Sequence, residues 1–163
     1  MRIEDINAME RGEFLDALGW VFEGSPWVAL RAWEMRPFGS LEAMHAAMQR
    51  EVGRATRGEQ LALLRAHPDL GARAKMSEAS IGEQAGAGLD RLTPEEYQRL
   101  GRLNAAYREK FGFPFLFAVK GSAKHDILEA LERRLDAAPE DEFRVALEQV
   151  YRIARFRLEE AIG

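Results

Sequence analysis

Phe111-Gly112-Phe113-Pro114-Phe115-Leu116-Phe117-Ala118-Val119-Lys120-Gly121 is apolar on consecutive positions, and the fold turns on how it is read. Propensity alone makes Phe115 to Val119 a short buried strand. A lone strand has no partner, and the remaining sequence is helical nearly throughout. The expected fold is therefore all-α, a compact bundle of about eight helices with this stretch as an extended Phe-Pro-Phe loop. Its buried amides and carbonyls must then find other partners, because unpaired polar groups are costly. Either neighbouring side chains supply them around phenylalanines that plug the core, or a polar ligand does.

Working outward, apolar spacing and caps place the helices. Phe14, Leu15, Leu18, Val21 and Phe22 form one stripe ended by Gly24, and Ser25-Pro26 starts a helix reaching Met35, before Pro37. Ser40 caps a helix with Leu41, Met44, Met48 and Val52 inward, and Thr56 with Glu59 spells a capping box. A second box, Thr93-Pro94-Glu95-Glu96, opens a helix running to Gly112. Ser122 starts the next, with Ile127, Leu128, Leu131 and Leu135 inward, and Pro139 starts a long final helix to about Ile162. No repeat or linker divides them, so residues 1–163 read as one domain.

Composition narrows the function classes. A hydrophobic content of 47% supports a sizeable core, and 27 acidic against 23 basic side chains, well mixed, leave a net charge of -4 and no basic stripe for nucleic acid. The absence of cysteine removes disulfides, thiolate nucleophiles and sulfur metal sites. With no apolar signal core, no run of membrane-spanning length and no Ser-Lys-Leu ending at Ala161-Ile162-Gly163, a soluble cytoplasmic protein without membrane association is expected.

Three constellations carry possible chemistry. In Leu64-Arg65-Ala66-His67-Pro68-Asp69-Leu70-Gly71, a proline stops a helix whose last turn carries His67 on the apolar face. An inward imidazole is either a core histidine bonded to a carbonyl or a catalytic base. Ser80 and Glu83 have capping-box spacing, yet Gly82, Gly86 and Gly88 leave the turn poorly shielded. An open helix N-terminus there would offer amides to an anion, with Ser80, Glu83 and Gln84 as ligand contacts. On the final helix, Arg157 falls inside the stripe of Phe143, Leu147, Val150, Ala154, Leu158 and Ala161. A buried guanidinium needs a carboxylate, either internal or bound. His45 and His125 read as surface or structural residues, and Trp20, Trp27 and Trp33 as core or dimer contacts.

Taken in order, His67-Pro68-Asp69-Leu70-Gly71, Ser80-x-x-Glu83-Gln84-x-x-Ala87-Gly88-Leu89 and Phe111-Gly112-Phe113-Pro114-Phe115 with Ala118-Val119-x-Gly121 resemble the OHCU decarboxylase family of urate degradation. The resemblance spans essentially the whole chain. It implies decarboxylation of 2-oxo-4-hydroxy-4-carboxy-5-ureidoimidazoline to S-allantoin by a homodimer, without cofactor or metal. It further implies that His67 is catalytic with Glu83 as partner, that Arg157 binds substrate, and that Pro68, Ser80, Ile81, Gly82, Glu83, Gln84 and the backbone of Phe115, Leu116, Phe117, Ala118 and Val119 contact it. In such a substrate the departing carboxylate sits beside a C=N bond, which makes the substrate its own electron sink. The alternative is a ligand-binding or regulatory helical protein that keeps the pocket without turnover.

Overall fold

The computed structural model describes residues 1–71 and 77–162. The final glycine of the Ala161-Ile162-Gly163 ending lies outside the described residues. All regular structure in them is helical, as expected: α1 (Ile3–Asn7), α2 (Arg11–Leu18), α3 (Trp27–Trp33), α4 (Leu41–Arg54), α5 (Arg57–Arg65), α6 (Glu78–Gly86), α7 (Pro94–Phe111), α8 (Lys124–Arg134) and α9 (Pro139–Ile162). They group into two compact units, one formed by Met1–Ala66 with the chain from Tyr151 onward, the other by His67–Val150.

In the first unit the Ser40 and Thr56 caps read from sequence are in place, whereas Ser25 does not cap α3: Pro26 is the N-cap, before Trp27, and the Ser25 hydroxyl donates to the Glu23 carbonyl at 3.0 Å. Ser40 Oγ accepts the Ala43 amide at 3.0 Å, and Thr56 and Glu59 exchange bonds of 3.1 and 3.0 Å. Ile6, Phe14, Leu18, Val28, Met44, Met48, Val52, Leu63, Leu64, Ala154 and Leu158 are buried as its core. Helix α2 ends at Leu18, short of the expected Phe22. The reason is local: the Trp20 indole donates to the Ala17 carbonyl at 2.8 Å, and the Val21 amide turns to Leu18 at 3.2 Å. Val21 and Phe22 stay buried, carried by the turn that follows.

The second unit is built on α7, whose Thr93–Glu96 capping box closes with bonds of 3.1 and 2.9 Å. It ends at Gly112 with φ +81°, a left-handed cap that suits glycine. Tyr107, one turn before its end, packs against Phe111, Phe113 and Phe115 with ring centroids 4.5, 5.9 and 5.4 Å apart. Helix α8 starts two residues after Ser122, because the Ala123 amide finds the Asp126 carboxylate at 3.0 Å. Helix α9 begins in this unit at Pro139, as its proline indicates, and its residues from Tyr151 belong to the first.

Residues 113–119 form no strand. They form an irregular, largely buried segment between α7 and α8. Side chains serve its backbone in part: Arg134 donates to the Leu116 carbonyl at 2.7 Å, and Gln149 accepts the Ala118 amide at 2.9 Å. Arg134 is held in turn by the Glu142 carboxylate, which also receives the Tyr107 hydroxyl. Burial and then the bond to Glu142 push the Tyr107 phenol far up, so it remains a neutral donor.

Candidate active site

Helix α5 ends at Arg65, with Ala66 as its last αR residue. His67 therefore lies just past the helix rather than in its last turn, in keeping with the clash that disfavours the α region for a residue before proline. It is buried all the same, with 6% of its surface exposed, and Pro68 is half-buried. The turn that follows is tightly held. Asn104 of α7 donates to the Leu70 carbonyl at 2.9 Å, and the Gly71 amide donates to Gln84 Oε1 of α6 at 2.8 Å. One helical turn beyond Asn104, Arg108 reaches Asp69 at 3.0 Å on the surface. Gly71 adopts φ +72°, and a Cβ there would come within 2.4 Å of Leu100 Cδ2. Only glycine fits that place without displacement.

Helix α6 begins earlier than the Ser80–Glu83 box would require. Ser77 is the N-cap, and its hydroxyl accepts the Ser80 amide at 3.1 Å while its carbonyl accepts the Ile81 amide at 3.0 Å. The amides of Ser80 and Ile81 are thus committed within the helix and do not form an open anion cradle. The shift in register decides which side chains turn inward. Ser80 and Gln84, four apart, are both buried, Glu83 is half-buried, and Ile81 and Gly82 face solvent. Among the expected contacts, Ile81 and Gly82 are the two the fold directs outward.

The structure thus joins the His67 loop to Gln84 directly. It also sets Phe115, Leu116, Ala118 and Val119 in the buried segment, with Phe117 half-buried. All these residues belong to the second unit. Arg157 belongs to the first, where it is buried at 1% exposure and meets an internal carboxylate: Nη1 lies 2.8 Å from Glu23 Oε2 and 3.4 Å from the carbonyls of Trp20 and Val21. Of the two mates open to it by sequence, the internal one is present. Sequence reasoning passed over Glu23, Asn104, Arg134 and Gln149. Glu23 lies in an apolar run beside Phe22, which was a signal, whereas Asn104 and Gln149 look like ordinary helix-surface residues until the fold buries their partners.

Among the described residues no cluster of three histidine or acidic side chains is arranged to hold a metal ion. No described helix is long and apolar enough to cross a membrane. His45 bonds through Nε2 to the Tyr151 carbonyl at 2.8 Å, and His125 is exposed. Trp20 is partly exposed, while Trp27 and Trp33 are half-buried and carry Arg31 and Arg36 over their rings at 4.5 and 4.0 Å.

The described residues define a helical protein with a buried histidine on a braced loop of its second unit. The chain belongs to the OHCU decarboxylase family, whose profile matches residues 7–159. It is 48% identical over 160 residues to the 2-oxo-4-hydroxy-4-carboxy-5-ureidoimidazoline decarboxylase of Halalkalicoccus jeotgali, covering 98% of this chain and 91% of that one. It is 46% identical to the uric acid degradation bifunctional protein PucL of Bacillus subtilis, spanning 98% of its own length and 32% of PucL. A solved (S)-allantoin synthase superposes with a TM-score of 0.83 at 34% identity, over 99% of this chain and 54% of that one. The chain thus spans about half of that synthase and about a third of PucL.

Proposed function

We propose that this chain decarboxylates 2-oxo-4-hydroxy-4-carboxy-5-ureidoimidazoline to S-allantoin in urate degradation, without a cofactor, as one catalytic domain that pairs into a homodimer in the cytoplasm. Family membership and the names of its relatives support the reaction. The observation that carries the assignment to residues is the buried His67, set after a helix stop on a loop fastened by Asn104 and Gln84.

In the reaction, the bond from the ring carbon to the carboxylate breaks and CO2 departs. The bonding pair joins the two ring carbons and passes charge to the imine nitrogen, which takes a proton. The hydroxyl then loses its proton as it becomes the carbonyl, and the former imine carbon gains one on a single face. His67 accepts the hydroxyl proton, and Glu83 orients that group and delivers the proton to carbon, the exchange of these two roles being the alternative assignment. Pro68, Ser80, Gln84 and the backbone of residues 115–119, all of the second unit, enclose the ring, and the family resemblance implies Arg157 as a substrate-binding residue. Burial around the departing carboxylate favours loss of its charge.

The test supplies freshly generated substrate and follows optical rotation, since the uncatalysed decay gives racemic product. Acceleration with one enantiomer in excess is expected. Replacing His67 or Glu83 by alanine is expected to lower turnover by about 100-fold or more with the helical circular dichroism intact. Wild-type rates in either variant would remove that residue from the mechanism.

A further inference from the structure

The geometry points to Asn104 as a positioning residue for His67, a reading that rests on the catalytic role proposed for that histidine. The residue is 8% exposed, and its carboxamide donates to the Leu70 carbonyl, three residues after His67. The orientation follows from the partner, because a carbonyl only accepts and the NH2 side must face it. Its Oδ1 is then left buried, without a hydrogen bond among the described residues. A buried acceptor without a partner is unfavourable, and leucine would remove it only by leaving the buried Leu70 carbonyl without its donor, so stability alone does not single out the amide. What the amide supplies that leucine lacks is a fixed direction for the Leu70 carbonyl.

Two buried bonds share this task, with a third, exposed one beside them. Gln84 takes the next amide, that of Gly71, and Arg108 takes the Asp69 carboxylate. The carbonyl of one residue and the amide of the next are the two faces of a single peptide unit, the one joining Leu70 to Gly71. Asn104 and Gln84 grip that unit from opposite sides, from α7 and α6. Pro68 removes another freedom by fixing its own φ. The segment from His67 to Gly71 is thereby held at its proline and at its last peptide, which restricts the backbone that carries the imidazole. The Arg108 pair, being exposed, adds little.

A double-mutant cycle on turnover separates positioning from plain stability. Asn104→Leu is expected to lower kcat by about 10- to 100-fold, the scale of a misplacement of about 1 Å, with KM changed by less than about 3-fold. In a His67→Asn background the same substitution is expected to cost nothing further, because Asn104 acts only through the missing imidazole. An equal loss in both backgrounds, or an Asn104→Leu protein with wild-type kcat, overturns the proposal. A His67→Asn protein with wild-type turnover overturns instead the catalytic reading beneath it. Should Asn104→Leu fail to fold, Asn104→Ala, which removes the amide without adding bulk, enters the same cycle with the same expected non-additivity, and additivity there overturns the proposal equally.

Discussion

At Glu23 and Arg157 two opposite charges are held almost wholly out of water, 2.8 Å apart. Such a pair gains little net stability over apolar residues, yet breaking it is expensive, since the surviving charge stays buried. Glu23→Ala is expected to destabilise the fold by about 3–5 kcal/mol, measured by urea unfolding, and to exceed the cost of an exposed pair such as Arg31 with Glu59. A loss below about 1 kcal/mol would show that water reaches the guanidinium. His45 makes a second residue-level prediction. Burial holds its pKa below the ordinary histidine value, against the raising effect of its bond to Tyr151, with Arg155 lowering it further and Glu159 raising it. The unfolded chain then binds the proton more readily than the native one. This contribution is fully present above about pH 6.5 and is lost as pH falls from there through the lower native pKa. The wild-type melting temperature should therefore drop between pH 7 and 5 by more than that of His45→Gln, which keeps a donor for Tyr151 and does not titrate. Equal drops would exclude His45 as the source.

Among the elements, α6 shows how a helix N-cap three residues earlier than Ser80 changes chemistry. With Ser77 as cap, Ser80 and Gln84 share the buried face, and the tight Ser80–Glu83 box does not form. Ser77→Ala should cost about 1 kcal/mol of stability with turnover little changed, whereas Ser80→Ala should show the reverse balance. Denaturant midpoints and kcat/KM measured on both proteins decide it, and a larger stability loss at Ser80 would return the cap to that residue. The segment after α7 is fixed by different means. Its phenylalanines bury against Tyr107 and Phe143, with Phe113 and Phe143 rings 6.0 Å apart, while Arg134 and Gln149 reach its peptide groups from α8 and α9. An apolar run that would otherwise ask for a second strand is thereby kept single.

For the whole molecule, the homodimer proposed here predicts a sedimentation-equilibrium mass near twice the 18.4 kDa of the chain. A mass of one chain at assay concentration would exclude it. The sequence alone determined the helical class, the capping boxes at Thr56 and Thr93, the Ser40 cap, the proline starts and stops, and the candidacy of His67, because these depend on residues within a turn or two of one another. Tertiary structure alone decided the rest. The mate of Arg157 lies 134 positions away at Glu23, the brace of Leu70 lies 34 away at Asn104, and the support for Ala118 lies 31 away at Gln149. Local spacing encodes which face of a helix is buried, but a polar side chain acquires its partner only when distant elements pack, and the need to satisfy each buried charge or peptide group then selects that partner.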